Sequence, residues 1–82
     1  MTIRILTFMK IRLGKIQTAY QKVQEIPEVK EVFAITGEYD LAIILEGESG
    51  DKLHEIFAGK LDELEGLIES HSHLVMKHKK LK

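Results

Sequence analysis

Apolar positions along this chain switch between two periods, and the switches divide it into strands and helices. Ile3 to Ile11 carries Ile5, Leu6, Phe8 and Met9, apolar on both alternating sets, and predicts a first strand. Leu13-Gly14-Lys15 interrupts it. Ile16, Ala19, Tyr20, Val23 and Ile26 then recur at helical spacing, with Gln17, Gln21, Lys22 and Gln24 on the other face. Ile26-Pro27-Glu28 ends this helix, because the residue before a proline is steered out of the α region. Val29 to Ile35 and Leu41 to Leu45 are short and rich in β-branched residues, and read as two more strands. Thr36-Gly37-Glu38-Tyr39-Asp40 between them is the turn of a hairpin, with Gly37 free to supply a positive φ. Glu46 to Gly50 reads as a loop, and Asp51 as the N-cap or first-turn acid of a second helix. Leu53, Ile56, Phe57, Leu61 and Leu64 form that helix's apolar stripe, Gly66 its C-cap, and Leu67 to Lys77 a last strand.

The order β-α-β-β-α-β is the split βαβ, or ferredoxin-like, arrangement of the α+β class. Right-handed crossovers give an antiparallel four-stranded sheet of order 4-1-3-2, with two helices on one face. A sheet covered on one face should alternate apolar with polar residues. Leu41 to Leu45 does not alternate, and the first strand is apolar on both sets. The uncovered face is therefore too apolar for water, and the expected form is a dimeric α/β sandwich with a second copy laid sheet against sheet.

Composition sharpens this picture. At 82 residues the chain is one domain near the lower limit of a self-sufficient core, and it has no cysteine for disulfides or thiolate-bound metal. Twelve Lys and Arg against 13 Asp and Glu leave a net charge of -1, which disfavours direct sequence-specific recognition of nucleic acid. No apolar run reaches membrane-spanning length, and residues 1–10 are too short and charged for a signal peptide. The expectation is a cytoplasmic protein with no membrane partner.

The topology also gathers candidate chemistry. One edge of the sheet collects the end of the first strand, the hairpin turn and the starts of the third and fourth strands. Asp40 there is a carboxylate at the mouth of an apolar strand, and it needs water or a partner. Ser70 and Ser72 lie across one intervening strand, about 10 Å away by strand spacing. That span suits a small zwitterion. The N-terminus of the first helix, near Gly14 and Lys15, adds free N–H groups at the same edge.

Val29-Lys30-Glu31-Val32 followed by Ile35-Thr36-Gly37-Glu38-Tyr39-Asp40-Leu41 resembles the ligand-binding (RAM) domain of the Lrp/AsnC transcription regulators. Ile26-Pro27-Glu28-Val29 and Glu65-Gly66 add to the resemblance, which runs from about Ile3 to Lys77. It implies a RAM-like effector-binding domain over residues 1–78, with 79–82 as a basic tail, standing alone without a helix-turn-helix. It further implies dimers through the open sheet faces, in places assembled as tetramers of dimers, and an amino-acid effector bound between dimers. Carried onto this sequence, the ligand-binding residues are Thr36, Gly37, Glu38, Tyr39, Asp40, Ser70 and Ser72. Backbone N–H groups near Gly37 would take the effector's carboxylate and Asp40 its ammonium, with the two serines trimming specificity. Two positions depart from the family pattern: His73 stands where an apolar residue is usual, and Leu13-Gly14 replaces Pro-Gly. An alternative role is co-assembly with full-length Lrp/AsnC regulators.

Other readings carry less. His71-Ser72-His73 puts two imidazoles on one strand face, but a zinc site needs further ligands, so no metal is expected and the histidines read as solvated or interface-packed. Lys77, Lys79, Lys80 and Lys82 read as a frayed basic end. No nucleophile-base pair, phosphate loop or paired carboxylates appear, so neither an enzyme nor a cofactor is expected, and a small dimeric enzyme of ferredoxin-like fold is only the lesser alternative.

Overall fold

The computed structural model describes residues 2–82. The elements follow the expected order: β1 (Ile3–Ile11), α1 (Ile16–Val23), β2 (Val29–Ala34), β3 (Leu41–Gly47), α2 (Gly50–Ile56), a π-helical turn (Phe57–Leu61) and β4 (Leu67–Leu74). The sheet runs β2-β3-β1-β4 with every neighbour antiparallel, which is the expected 4-1-3-2 order seen from the other edge. No helix among the described residues is long and apolar enough to cross a membrane.

Register fixes the two faces of the sheet, because directly opposed residues in an antiparallel pair share a side. Met9, Leu41 and Ser70 form one row, and Thr7, Ile43 and Ser72 the next. These rows face the helices. Met9, Leu41, Ile43 and Leu45 are fully buried there against Ala19, Val23, Leu53, Ile56 and Leu61. The alternate rows, Phe8 with Ala42 and His71, and Leu6 with Ile44 and His73, lie on the face without helices. Arg4 pairs with Glu46 at one end of that face, Nε to Oε2 2.9 Å, and Lys10 lies opposite Glu69 at the other.

Several boundaries differ from the sequence expectation, each for a physical reason. Helix α1 stops at Val23 rather than near Ile26. Its end winds down through i→i−3 bonds: the N–H groups of Gln24, Glu25 and Ile26 donate to Gln21, Lys22 and Val23 at 3.0–3.2 Å. Ile26 is still buried, on this last turn before Pro27. β3 extends through Glu46 and Gly47, because Ile3 and Arg4 of β1 are there to pair with them. Ser49, not Asp51, is the N-cap of α2; its Oγ accepts from the Lys52 N–H at 3.2 Å, and Asp51 is a first-turn acid. β4 ends at Leu74 rather than Lys77, since β1 begins at Ile3 and the last bond across the pair runs from Val75 N–H to the Arg4 carbonyl.

The second helix departs most. Leu53 and Ile56 follow α spacing, but the next buried residue is Leu61, five positions beyond Ile56. The backbone obliges with a π turn, in which Asp62 N–H donates to the Phe57 carbonyl at 2.8 Å. The helical run therefore ends at Leu61, and Gly66 is not its C-cap. Gly66 instead turns the chain into β4 with φ +87°, and its carbonyl accepts the Arg12 N–H at 2.7 Å. A Cβ at Gly66 would lie 2.6 Å from Lys15 Cβ.

That close approach yields a prediction. Gly66→Ala combines a left-handed backbone with a steric clash, and should lower the unfolding free energy by about 1–3 kcal/mol. Urea denaturation checks it; an unchanged midpoint would show that Lys15 yields without cost.

Candidate functional site

The hairpin loop sits at the rim where β1 ends. Ile35 N–H donates to the Asp40 carbonyl at 3.0 Å and closes it, and Gly37, which is exposed, has φ +105°. The positive φ expected of Gly37 is present. Thr36 and Glu38 are exposed, while Tyr39 and Asp40 are half-buried.

Asp40 holds the end of β1. Beyond the Met9–Leu41 pair β3 has ended, yet β1 continues to Ile11. Asp40 spans the gap twice: its N–H donates to the Met9 carbonyl at 2.9 Å, and its Oδ2 accepts the Ile11 N–H at 2.8 Å. A carboxylate oxygen thus takes the place of a missing strand carbonyl. The partner is on the neighbouring strand, not among the turn's own N–H groups.

The other candidate residues divide between the two faces. Ser70 lies in the Met9–Leu41 row on the helix side, level with the loop. Ser72 lies one row further from the rim, and its Oγ is 2.9 Å from the Thr7 hydroxyl. Thr7 has no solvent exposure, so Ser72 supplies the partner that a buried hydroxyl requires. Tyr39 turns to the opposite side and packs on Phe8, with ring centroids 5.7 Å apart, and edge-on to His71 at 5.6 Å. Loss of surrounding water raises the Tyr39 pKa above its ordinary value, and the charges of Glu38 and Glu69 add to this. Asp40 and Ser70 therefore share the rim, while Ser72 and Tyr39 are engaged elsewhere.

The rim also carries cations that periodicity did not single out. Lys10, Arg12 and Lys15 follow one another through the end of β1 and the turn after it. Lys15 Nζ reaches Glu65 Oε1 at 2.8 Å. This hydrogen bond, then the Lys15 charge, with Arg12 adding, outweighs partial desolvation and lowers the Glu65 pKa. The resulting stabilisation is present above the ordinary carboxyl range and fades as pH falls through the lowered value. With Glu65 largely exposed, it is small. Lys15 is also the N-cap of α1 and makes no side-chain cap, so first-turn N–H groups remain available beside the loop. Sequence position alone pointed to those donors, but not to Arg12, Glu65 or Thr7. Two surface grooves, of about 460 and 490 Å³, include neither the hairpin loop nor the two serines: one lies between the helical segments and reaches Glu65, the other beside β2 and Lys52.

Comparison with known proteins now bears on this geometry. The family model for the Lrp/AsnC ligand binding domain matches residues 6–82. The HTH-type transcriptional regulator FL11 of Pyrococcus furiosus is 30% identical over 68 residues, which cover 83% of this chain and 44% of FL11. The chain thus spans less than half the length of that regulator. Among solved structures, TTHA0845 from Thermus thermophilus superposes with TM-score 0.87 at 23% identity, over 96% of this chain and 99% of that one. The transcriptional regulator NMB0573 of Neisseria meningitidis, solved as a complex with L-Met, gives TM-score 0.84 at 22% identity, over 96% of this chain and 53% of that one.

The Asp40 bonds predict separable effects. Asp40→Ala leaves the Ile11 N–H without its acceptor and should cost about 1–3 kcal/mol, whereas Asp40→Asn keeps an acceptor oxygen and should recover most of it. Hydrogen exchange at the Ile11 amide should accelerate in the alanine variant only. Equal protection in both variants would show that water replaces the carboxylate freely.

Proposed function

This chain belongs to the Lrp/AsnC ligand-binding domain family, and from that premise we propose that it reversibly binds a small amino-acid effector at the β1–hairpin rim and self-associates through its open sheet face. The observation that carries the binding half is the half-buried Asp40 carboxylate, fixed by the Ile11 N–H beside the uncapped first turn of α1. One oxygen is committed to the strand, and the carboxylate's remaining capacity suits an ammonium group. Donors at Gly37 and the α1 terminus suit a carboxylate. NMB0573, a relative in fold, was solved with L-Met, in keeping with a ligand of this chemistry. The role is regulatory binding rather than turnover.

Asp40→Asn is the informative variant, because it removes charge while retaining an acceptor. Losing a charge-assisted bond of about 1.5–3 kcal/mol should weaken effector binding roughly ten- to a hundredfold. A thermal-shift screen of the twenty amino acids finds the effector, and calorimetry on wild type and Asp40→Asn measures the difference. Equal affinities would remove Asp40 from the site.

A second reading is favoured by a different observation. Asp40 and Ser72 are already engaged inside the fold, and the two large grooves lie elsewhere. In this reading the domain serves assembly, pairing with itself or with longer regulators of its family. Silence across the amino-acid panel would favour it.

Self-association is supported by the open face, where Leu6, Phe8, Phe33, Ala42 and Ile44 are gathered. Four of its charges come in opposed pairs, Arg4 with Glu46 and Lys10 with Glu69, and Glu31 on the outer strand β2 stands apart from them. Phe8→Glu should convert the assembly to monomer by sedimentation. A wild type that stays monomeric at high concentration would overturn this half of the proposal.

A further inference from the structure

β4 brings two imidazoles to the open face. His71 lies opposite Phe8, and His73 opposite Leu6. His73 meets the Phe8 ring edge-on with centroids 6.0 Å apart, His71 meets Tyr39 at 5.6 Å, and Tyr39 lies against Phe8. Four rings thus form one strip from the hairpin loop along β1 and β4.

The two histidines differ in what a proton on them would meet. His71 Nε2 lies 3.6 Å from Glu69 Oε2, so an imidazolium there faces a carboxylate. Among the described residues none of the ion pairs includes His73. The charged groups on this face are Arg4 and Lys10 from β1, Glu31 from β2, Glu46 from β3 and Glu69 from β4. Glu38 and the Tyr39 phenol stand on the loop. Glu46 is held by Arg4, Glu69 stands by His71 and Lys10, and Glu31 is about 14 Å from β4 at three strand spacings. Arg4, two residues from Leu6 on the same strand face, is a cation and opposes a proton on His73.

We propose that self-association through the open face is proton-linked, with His73 as the deciding group; this rests on the reading that a second copy covers that face. In the free chain the His73 side chain is exposed to water. Covering the face removes that water, and leaves the ring against Phe8 and Leu6, where the neutral form is accepted and the charged form is not. Association therefore strengthens above the imidazole range and weakens as pH falls through it. A dimer carries two such rings. Each must shed a proton, which costs about tenfold one pH unit below an ordinary histidine value near 6.5, so the dimer constant weakens by roughly a hundredfold.

Sedimentation equilibrium of the whole chain at about pH 8 and about pH 5.5, at one ionic strength, brackets the histidine range. Circular dichroism on the same samples controls for folding. Dilution calorimetry near pH 6.5, in two buffers of different ionisation enthalpy, reads proton uptake on dissociation without acid exposure. The expected result is a dimer that loosens roughly a hundredfold in acid, a flat profile for His73→Leu, and a retained profile for His71→Gln. A wild-type dimer that is unchanged or tightened at low pH overturns the proposal and leaves assembly standing. So does a profile that persists in both His73→Leu and His73→Gln. A monomer at every pH overturns the assembly reading together with this one.

Discussion

Two short helices can cover one face of a four-stranded sheet and no more. Their buried residues, Ala19, Val23, Leu53, Ile56 and Leu61, sit over Met9, Leu41, Ile43 and Leu45, and there the covered interior ends. With no cysteine to cross-link the chain, that single layer supplies most of the hydrophobic stabilisation. The limits of the layer shape everything beside it. Where it closes over Thr7, a hydroxyl is trapped and Ser72 must answer it. On the far side, the same strands leave Leu6, Phe8, Phe33 and Ile44 without helices above them. Coverage of one side and the unfinished state of the other are one fact about an 82-residue chain.

The rim follows from unequal strand lengths. β1 outruns β3, so its last N–H needs an acceptor from outside the ladder, and the residue entering β3 provides it with a side chain. A group that anchors a strand end is also rigidly aimed, which is what a recognition site asks of its polar groups. In the proposed site, binding an effector and holding the end of β1 would draw on the same carboxylate.

How far the sequence could be read depended on whether a feature was local. Strand order and helix placement followed from β-branched runs, Pro27 and the crossover rule, because each signal lies within or next to its own element. Gly37 was equally legible, since a tight hairpin needs a positive φ and the glycine is in the turn itself. Asp40 announced that it needed a partner, but Ile11 could not be named without knowing by how many residues β1 overruns β3. Ser72 and Thr7 are 65 positions apart and share a row only through the β1–β4 register. Gly66 misled for a related reason. It looks like a helix terminator, yet what demands glycine there is the turn into β4, with its positive φ, and the side chain of Lys15 brought in by the fold.

The π turn at Phe57–Leu61 gives the second helix a change of phase. An α-helix advances about 100° per residue, so five residues beyond Ile56 would carry Leu61 well past the direction Ile56 faces. The wider turn absorbs the excess, and both side chains point into the same interior. The segment therefore behaves as an α-helix closed by a final wide turn that corrects its phase. Shortening it by one residue would bring Leu61 to four positions beyond Ile56, about 40° away on an α-helix, and a regular turn would then suffice. Local irregularity is here the condition for global order, and it sets where the chain leaves the helix on its way to Gly66 and the rim.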